Sequence, residues 1–199
     1  MIIPAACILS QTGCRQNKFT AKAPEKGFQI FIQPFSDMDP AHTEFVYKEI
    51  QKFYPRISIA NSIELPTAAF YAPRNRYRAD SIISILDRKA NAGEVVLGLT
   101  GKDISCSKNQ VKDWGVMGLG YCPGKACVAS SFRLSKENKK IQLFKVAIHE
   151  LGHTQGLAHC PEKSCFMRNA NGGNPTGEEK AFCSSCKKTL KGRGWIFND

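Results

Sequence analysis

The stretch VAIHELGHTQGLAHC, residues 146–160, decides how the sequence is interpreted, because it holds three of the four histidines in the chain. Residues four positions apart lie on the same face of an α-helix, so His149 and His153 should point the same way. On a continuous helix His159 would lie about 240° around the axis from His153 and could not join them. Gly156 can take the positive φ angle that ends a helix in a sharp bend. The spacing therefore predicts three imidazoles that converge on one point.

Three neutral imidazoles form a ligand set for zinc, which binds histidine nitrogens at about 2.0–2.1 Å. They leave a fourth position for water, whose pKa falls to about 7 in such sites. Glu150 follows His149 and is well placed to contact that water. We expect Glu150 to accept the proton and later to donate it to the leaving amine, so that a peptide bond is hydrolysed without a covalent intermediate. The alternative, ordinary surface histidines on a helix, leaves Gly156 and His159 unexplained.

The sequence contains nine cysteines, an odd number that argues against a framework made only of disulfides. Cys160 and Cys165 have four residues between them, and Cys183 and Cys186 have two. Two short cysteine pairs separated by a longer loop have the usual spacing of a closed tetrahedral zinc site. Such a site would replace the core that the polar intervening loop lacks, so we expect a structural zinc. Two disulfides are the alternative.

Composition and charge limit the other classes of protein. Hydrophobic residues make up 42% and charged residues 23%, as in ordinary globular domains. No apolar run approaches the roughly 20 residues of a membrane-spanning helix. The net charge is +11, but the basic residues are scattered and not interleaved with aromatic residues. We therefore expect a basic surface without a nucleic-acid partner. We also expect a monomer.

The first 26 residues allow two interpretations. The sequence SQTGC, residues 10–14, resembles a lipoprotein cleavage site with Cys14 as the acylated residue, and the polar segment behind it would suit a tether. However, no basic residue precedes Arg15, whereas a secretory signal normally begins with positive charge. A tail on a cytoplasmic protein is therefore favoured over an exported lipoprotein anchored through Cys14.

From Gly27 onward, strand and helix signals alternate and predict an α/β (α+β) fold, with helices packed on a mixed sheet. The predicted strands cover residues 28–33, 56–65 and 94–99, with a β-hairpin formed by 114–121 and 126–134. The predicted helices run from the Asp39 cap to about Phe53, after the loop 72–80, from near Lys136 through the histidines, and from a T-x-x-E capping box at Thr176 and Glu179.

The segments HELGHTQGLAHCPEKSCFM (149–167) and CSSC (183–186) resemble the archaemetzincins, a zinc peptidase family within the metzincins. IQPFSDMDP, PTAAFYAPRNRYRAD and VASSFRL are also similar to family segments, and the resemblance covers roughly residues 27–190. It implies a metzincin-like catalytic domain with a twisted mixed sheet and a long active-site helix. The expected domain covers residues 27–199, with an upper subdomain (27–156) and a small, zinc-stabilised C-terminal subdomain (157–199).

The resemblance also implies functions for individual residues. His149, His153 and His159 would bind a catalytic zinc, and Glu150 would be the general base and acid. A second, structural zinc would be bound by Cys160, Cys165, Cys183 and Cys186. Met167 would form the Met-turn, an apolar floor under the histidines, and the strand near 115–121 would be the sheet edge that pairs with a peptide substrate. The expected activity is hydrolysis of short peptides with two zinc ions as cofactors, and the alternative is a zinc-stabilised peptide-binding module with little or no catalysis.

Overall fold

A computed structural model describes residues 27–197. The expected N-terminal tail, including Cys14, lies outside the described residues, as do residues 198 and 199. Within them the α-helices are α1 (Pro40–Gln51), α2 (Ala79–Lys89), α3 (Lys139–Thr154) and α4 (Ser184–Lys191). None of these helices is long and apolar enough to cross a bilayer.

The strands form two mixed sheets. In chain order they are β1 (Gln29–Pro34), β2 (Ile57–Ile59), β3 (Phe70–Tyr71), β4 (Arg76–Arg78), β5 (Glu94–Thr100), β6 (Ile104–Lys108), β7 (Val111–Val116), β8 (Gly118–Gly120) and β9 (Ala126–Ser130). The larger sheet has the order β2-β1-β5-β9-β8, in which only β8 runs antiparallel to its neighbour. The smaller sheet has the order β3-β4-β6-β7. The mixed α/β fold expected from the sequence is confirmed.

Helices cover both faces of the larger sheet. On β5, Val95, Leu97 and Leu99 belong to the core that contains residues of α1 and α3. Val96 faces the opposite way and packs in the core formed with α2. Burial on both faces explains why β5 is almost entirely apolar in sequence. The cap of α1 is as predicted, since the Asp39 carboxylate accepts a hydrogen bond from the amide of Ala41 at 2.8 Å.

The predicted strand over 56–65 is too long, because β2 ends at Ile59. Ile32 pairs with Ile59, but the next bridge joins Phe35 to Ile63, so one extra residue lies on the β2 side. The side chain of Gln33 donates a hydrogen bond to the carbonyl of Asn61 at 2.7 Å within this bulge. The extra residue interrupts the ladder and ends the strand.

The predicted hairpin is correct only in part. β8 and β9 pair antiparallel, but residues 114–116 belong to β7, which pairs with β6 in the smaller sheet. The chain leaves one sheet and enters the other at Met117, whose carbonyl accepts a hydrogen bond from the amide of Ser130. The second predicted strand of this hairpin also stops early, at Ser130.

The capping box at Thr176 and Glu179 does not begin a helix, so that prediction is wrong. Residues Pro175–Gly177 form a short 3-10 turn capped by the Asn174 side chain, and α4 begins only at Ser184. The Thr176 hydroxyl donates to Asn174 Oδ1 at 2.6 Å. The Asn174 cap has therefore replaced the expected Thr176 cap.

Candidate active site

The bend that the sequence predicted after α3 is present at Gly156, where φ is 90°. The amide of Gly156 donates to the carbonyl of His153 at 2.8 Å, and the amide of Leu157 donates to that of Gly152 at 3.1 Å. These two bonds form a Schellman motif, which ends a helix with a glycine in a left-handed conformation. The chain turns back at this point and carries His159 towards the face of α3 that holds the other two histidines.

The three imidazoles converge. The ring centroids of His149 and His153 are 4.7 Å apart, and that of His159 lies 5.4 Å from the first and 4.9 Å from the second. The Nδ1 of His149 donates to the carbonyl of Phe166 at 2.6 Å, and the Nδ1 of His153 to that of Leu157 at 2.7 Å. These bonds hold two of the rings in place and leave Nε2 as the nitrogen for a metal ion. One potential ligand atom from each histidine lies within 4.8 Å of the others, so the group could hold a metal.

The protonation of these rings depends on their surroundings. Burial and the charge of His153 place the pKa of His149 well below its ordinary value. Burial, His153 and Lys108 lower the pKa of His159 to about 4. Burial also acts to lower the pKa of His153, but a hydrogen bond with Cys122 and the charge of Glu150 outweigh it and raise that pKa. Two of the three rings are therefore neutral at pH 7, the form in which histidine binds metals.

Glu150 is buried beside these rings and lies against β8. Burial raises its pKa to about 7, although the charge of His153 acts to lower it. A Cβ atom added to Gly118 would lie 2.6 Å from Oε1 of Glu150, and one added to Gly120 would lie 2.8 Å from the Glu150 carbonyl. Only glycine allows the strand to pass this close to the helix. These two glycines were not among the residues predicted from the sequence, although a G-x-G pattern in an otherwise apolar strand indicates a close backbone approach.

Met167 is fully buried. A Cβ atom added to Gly152, which is on α3 between His149 and His153, would overlap with the Met167 sulfur. The neighbouring Phe166 carbonyl accepts the hydrogen bond from His149. The turn at Phe166 and Met167 therefore contacts α3 at its backbone and at one candidate ligand.

The four cysteines behind the histidines also converge. The sulfurs of Cys160 and Cys183 are 3.7 Å apart, and those of Cys165 and Cys186 are 3.8 Å apart. All four sulfurs lie within 4.8 Å of one another, and these four cysteines form no disulfide. Zinc–sulfur bonds of about 2.3 Å in a tetrahedron place the sulfurs about 3.8 Å apart, so the spacing fits a thiolate zinc site.

Comparisons with known proteins show the family of the chain. The sequence profile of Peptidase family M54 matches residues 41–192. The chain belongs to peptidase family M54. It is 30% identical over 176 residues to the archaemetzincin of Methanocaldococcus jannaschii, and the alignment covers 83% of this chain and 94% of that protein. It is 29% identical over 181 residues to the archaemetzincin of Halobacterium salinarum, and the alignment covers 81% of this chain and 99% of that protein.

A solved structure extends the comparison to the fold. The archaemetzincin of Archaeoglobus fulgidus, solved as a complex with malonate, superimposes with a TM-score of 0.70 at 28% sequence identity. The match covers 81% of this chain and 99% of that chain. The resemblance to archaemetzincins is thus confirmed, and this M54 chain is a zinc metallopeptidase, a hydrolase.

A cleft of about 790 Å³ lies over the histidines of this peptidase. Its floor is the face of α3 with His149, Glu150 and His153, one wall consists of residues 106–109 and 114–120, and the other consists of residues 168–176. Trp114 reaches across the cleft, since a Cβ atom added to Gly172 would lie 3.3 Å from its indole. Sequence patterns could not show this contact, because it joins two segments that are distant in the chain.

Lys145 holds the second wall of the peptidase cleft to α3. Its ammonium group donates to the carbonyls of Thr176 at 2.6 Å and Glu179 at 2.5 Å. Burial raises the pKa of the Glu179 carboxyl to about 7, although Lys145 and Arg168 act to lower it. The sequence alone does not distinguish Lys145, because a lysine on a helix is normally a solvated surface residue.

Proposed function

We propose that this metallopeptidase hydrolyses short, extended peptides, with His149, His153 and His159 as the ligands of a catalytic zinc and Glu150 as the general base and acid. The main support is the convergence of three imidazoles, with potential ligand atoms within 4.8 Å of one another, beside a buried carboxyl group. A zinc ion bound there would polarise the substrate carbonyl and acidify a water molecule.

Residues of the chain supply the remaining steps. The hydrogen bonds to the Phe166 and Leu157 carbonyls orient two imidazoles before any ligand binds. Glu150, which β8 holds in place, takes a proton from the attacking water and returns it to the amine that leaves. Since β8 ends its sheet, its outer edge can add an extended peptide strand through backbone hydrogen bonds.

The shape of the cleft supports a preference for short peptides. Trp114 and Gly172 approach each other from opposite walls, so a folded loop would have to separate them before it could enter. We expect kcat/KM to be high for peptides of a few residues and to fall for a folded protein that contains the same sequence. Equal cleavage of the folded protein would contradict this preference.

We also propose a second, structural zinc at Cys160, Cys165, Cys183 and Cys186. The sulfur spacing supports it, and so do the amides of Met167 and Cys183, which lie 3.5 and 3.3 Å from the Cys165 sulfur and stabilise a thiolate there. Elemental analysis of the purified chain should give two zinc ions. Cys183→Ala and His153→Ala should each remove one of them.

The decisive test of the activity is Glu150→Gln, which keeps the shape of the side chain and removes the base. General acid–base groups contribute about 10²–10⁴-fold to rates, so kcat/KM should fall by at least about 100-fold. Zinc content and the melting temperature should stay near those of the wild type. Equal turnover by both proteins would overturn the proposed mechanism.

A peptide-binding module with little or no catalysis is the second candidate function. The same cleft and the same sheet edge support it, since both would serve binding as well as hydrolysis. Measurable affinity for peptides, with no product from the zinc-loaded wild type, would favour this function over the proposed one.

We further propose that one chain forms the complete site, because all candidate ligands lie between residues 149 and 186 of the same chain. Light scattering during size-exclusion chromatography should then give the mass of a monomer in the active peak. Activity confined to a dimer peak would contradict this.

A further inference from the structure

Arg133 lies in the wall of the cleft, outside the set of residues that the proposed chemistry uses. It follows β9, and its Nε and Nη2 donate to the two carboxylate oxygens of Asp103 at 2.8 and 2.9 Å. Within residues 27–197 no hydrogen bond engages its Nη1. The side chain is 36% exposed, so a ligand in the cleft can reach the guanidinium group.

The backbone of β7 fixes the position of this guanidinium. A Cβ atom added to Gly115 would overlap with the end of the Arg133 side chain, so the guanidinium lies directly on the strand. Asp103 holds it from one side and the bare backbone of Gly115 accommodates it on the other. The Arg133 side chain is therefore prepared for binding before a ligand arrives, which reduces the entropy lost on binding.

The surrounding charges leave this wall positive. On the smaller sheet and beside it, the cluster around Arg133 contains four arginines and three aspartates, namely Arg74, Arg76, Arg78, Arg133, Asp80, Asp103 and Asp113. Asp103 is shared between Arg76, at 3.5 Å, and Arg133. Lys108 adds a further cation on the same wall, above the ring of Trp114 at 5.0 Å. The wall therefore attracts anions.

The position along the strand sets where the anion would lie. Gly118 contacts Glu150, and Gly115, which contacts Arg133, is three residues earlier in the same segment. Three residues of extended chain span at most about 10 Å. A peptide bound along β8 would cover the same distance with two or three residues beyond the cleaved bond.

We propose that Arg133 is a specificity residue that binds a substrate carboxylate two or three residues beyond the cleaved bond, and that this carboxylate is the C-terminus of a short peptide. The inference rests on the proposed function. A peptide antiparallel to β8, as β9 is on its other side, places its C-terminal half towards Gly115. Of the two ends of a peptide only the C-terminus is an anion, and guanidinium groups bind carboxylates with directed hydrogen bonds.

The test compares three peptides of equal length, each acylated with a fluorophore at its N-terminus; the first two share one sequence, and the third has aspartate as its last residue. The first ends in a free carboxylate, the second in an amide, and the third in an amide preceded by aspartate. Hydrogen bonds to charged groups predict a kcat/KM for the free acid about 10- to 100-fold above that for the neutral amide. If the aspartyl amide matches the free acid, a side-chain carboxylate serves equally and only the assignment to the C-terminus is overturned. Equal values for all three peptides overturn the proposal.

Variants assign the preference to Arg133. The acid preference is the kcat/KM for the free acid divided by the kcat/KM for the amide. In Arg133→Met this ratio should fall to about one. In Arg133→Lys it should be intermediate, since lysine keeps the charge and loses the planar geometry. Gly115→Ala should lower the ratio while Arg133 is retained, because the added methyl displaces the guanidinium. A ratio measured on one sample does not depend on the fraction of folded enzyme, so a loss of stability cannot imitate the effect.

Arg168→Met is the matched control, since it removes a cation from the opposite wall of the same cleft. Its ratio should equal that of the wild type, and an equal loss in Arg168→Met and Arg133→Met would overturn the assignment. The affinities of the free acid and the amide are then measured by fluorescence anisotropy in a Glu150→Gln background. A Glu150→Gln protein that still turns over peptides would contradict the proposed function, whereas equal affinities for acid and amide would contradict only the assignment of Arg133.

Discussion

Gly156→Ala tests the backbone reversal that brings His159 to the other histidines. Gly156 has a φ of +90°, and an added Cβ atom would meet only Pro123, at an ordinary contact distance of 3.8 Å. The cost of the substitution is therefore conformational and not steric. Left-handed backbone costs an L-residue about 1–2 kcal/mol, so we expect the free energy of unfolding to fall by that amount.

This energy gives two measurable effects. In a domain of this size 1 kcal/mol shifts the melting temperature by about 2–4 °C, so the metal-free variant should melt about 2–8 °C lower. The chain can also relieve the strain by moving residues 157–159 away from α3. If it does so, the same 1–2 kcal/mol lowers the affinity for zinc at the histidines by a factor of about 5–30.

The assay pairs thermal unfolding of the metal-free protein with zinc titration against a chromophoric chelator. Gly93→Ala is the matched control, because Gly93 also has a positive φ, +77°, and an added Cβ atom there meets nothing within 4 Å. It precedes β5, away from the histidines, so this variant should lose similar stability and keep its affinity for zinc. A Gly156→Ala protein that retains both its melting temperature and its zinc affinity would refute the reasoning.

Three further predictions concern contacts around the site. Gly118→Ala places a methyl group 2.6 Å from Oε1 of Glu150, so kcat/KM should fall by up to about 100-fold at unchanged zinc content, and an unchanged kcat/KM would contradict this. Gly152→Ala overlaps with the Met167 sulfur and should lower the free energy of unfolding by about 1–3 kcal/mol in a denaturant titration, whereas wild-type stability would show that the contact is loose. The folded-state pKa of Glu179 is raised to about 7, so the folded chain binds this proton more tightly than the unfolded chain, and the contribution of Glu179 to stability falls as the pH rises from about 4.3 to 7. Glu179→Gln should remove that fall, and coinciding melting curves of variant and wild type across this range would contradict it.

The sequence could predict the helix with the histidines because all the information is local. The spacing of His149 and His153 depends only on helix geometry, and Gly156 can be recognised as the end of the helix from its type and position. The structure then brings His159 to the same point. Their function as zinc ligands stays a prediction, since geometry alone does not identify the metal.

The hairpin of β6 and β7 was not predicted, because its stability comes from distant residues. β7 carries Lys112 and Asp113 among its few apolar positions, so no alternation marks it as a strand. The Asp113 carboxylate lies 3.8 Å from nitrogens of Arg76 and Arg78, which belong to β4. These ion pairs join segments more than thirty residues apart, and local patterns do not contain them.

The helix predicted to begin at Thr176 is absent, because tertiary contacts outweigh the local signal. The T-x-x-E pattern is a capping box, but the carbonyls of Thr176 and Glu179 both accept hydrogen bonds from Lys145 on α3. A helix that began at Thr176 would use those carbonyls within its own first turns. Contact with α3 therefore keeps residues 175–179 in a short turn against the cleft.

Anomalous diffraction at the zinc edge, from crystals of the zinc-loaded chain, tests the central proposal most directly. We predict one peak about 2.0–2.1 Å from a ring nitrogen of each of His149, His153 and His159, and a second peak among the four cysteine sulfurs. A structure with zinc at the cysteines, in which His159 points away from the other two imidazoles and no peak lies between them, would contradict the proposed catalytic site.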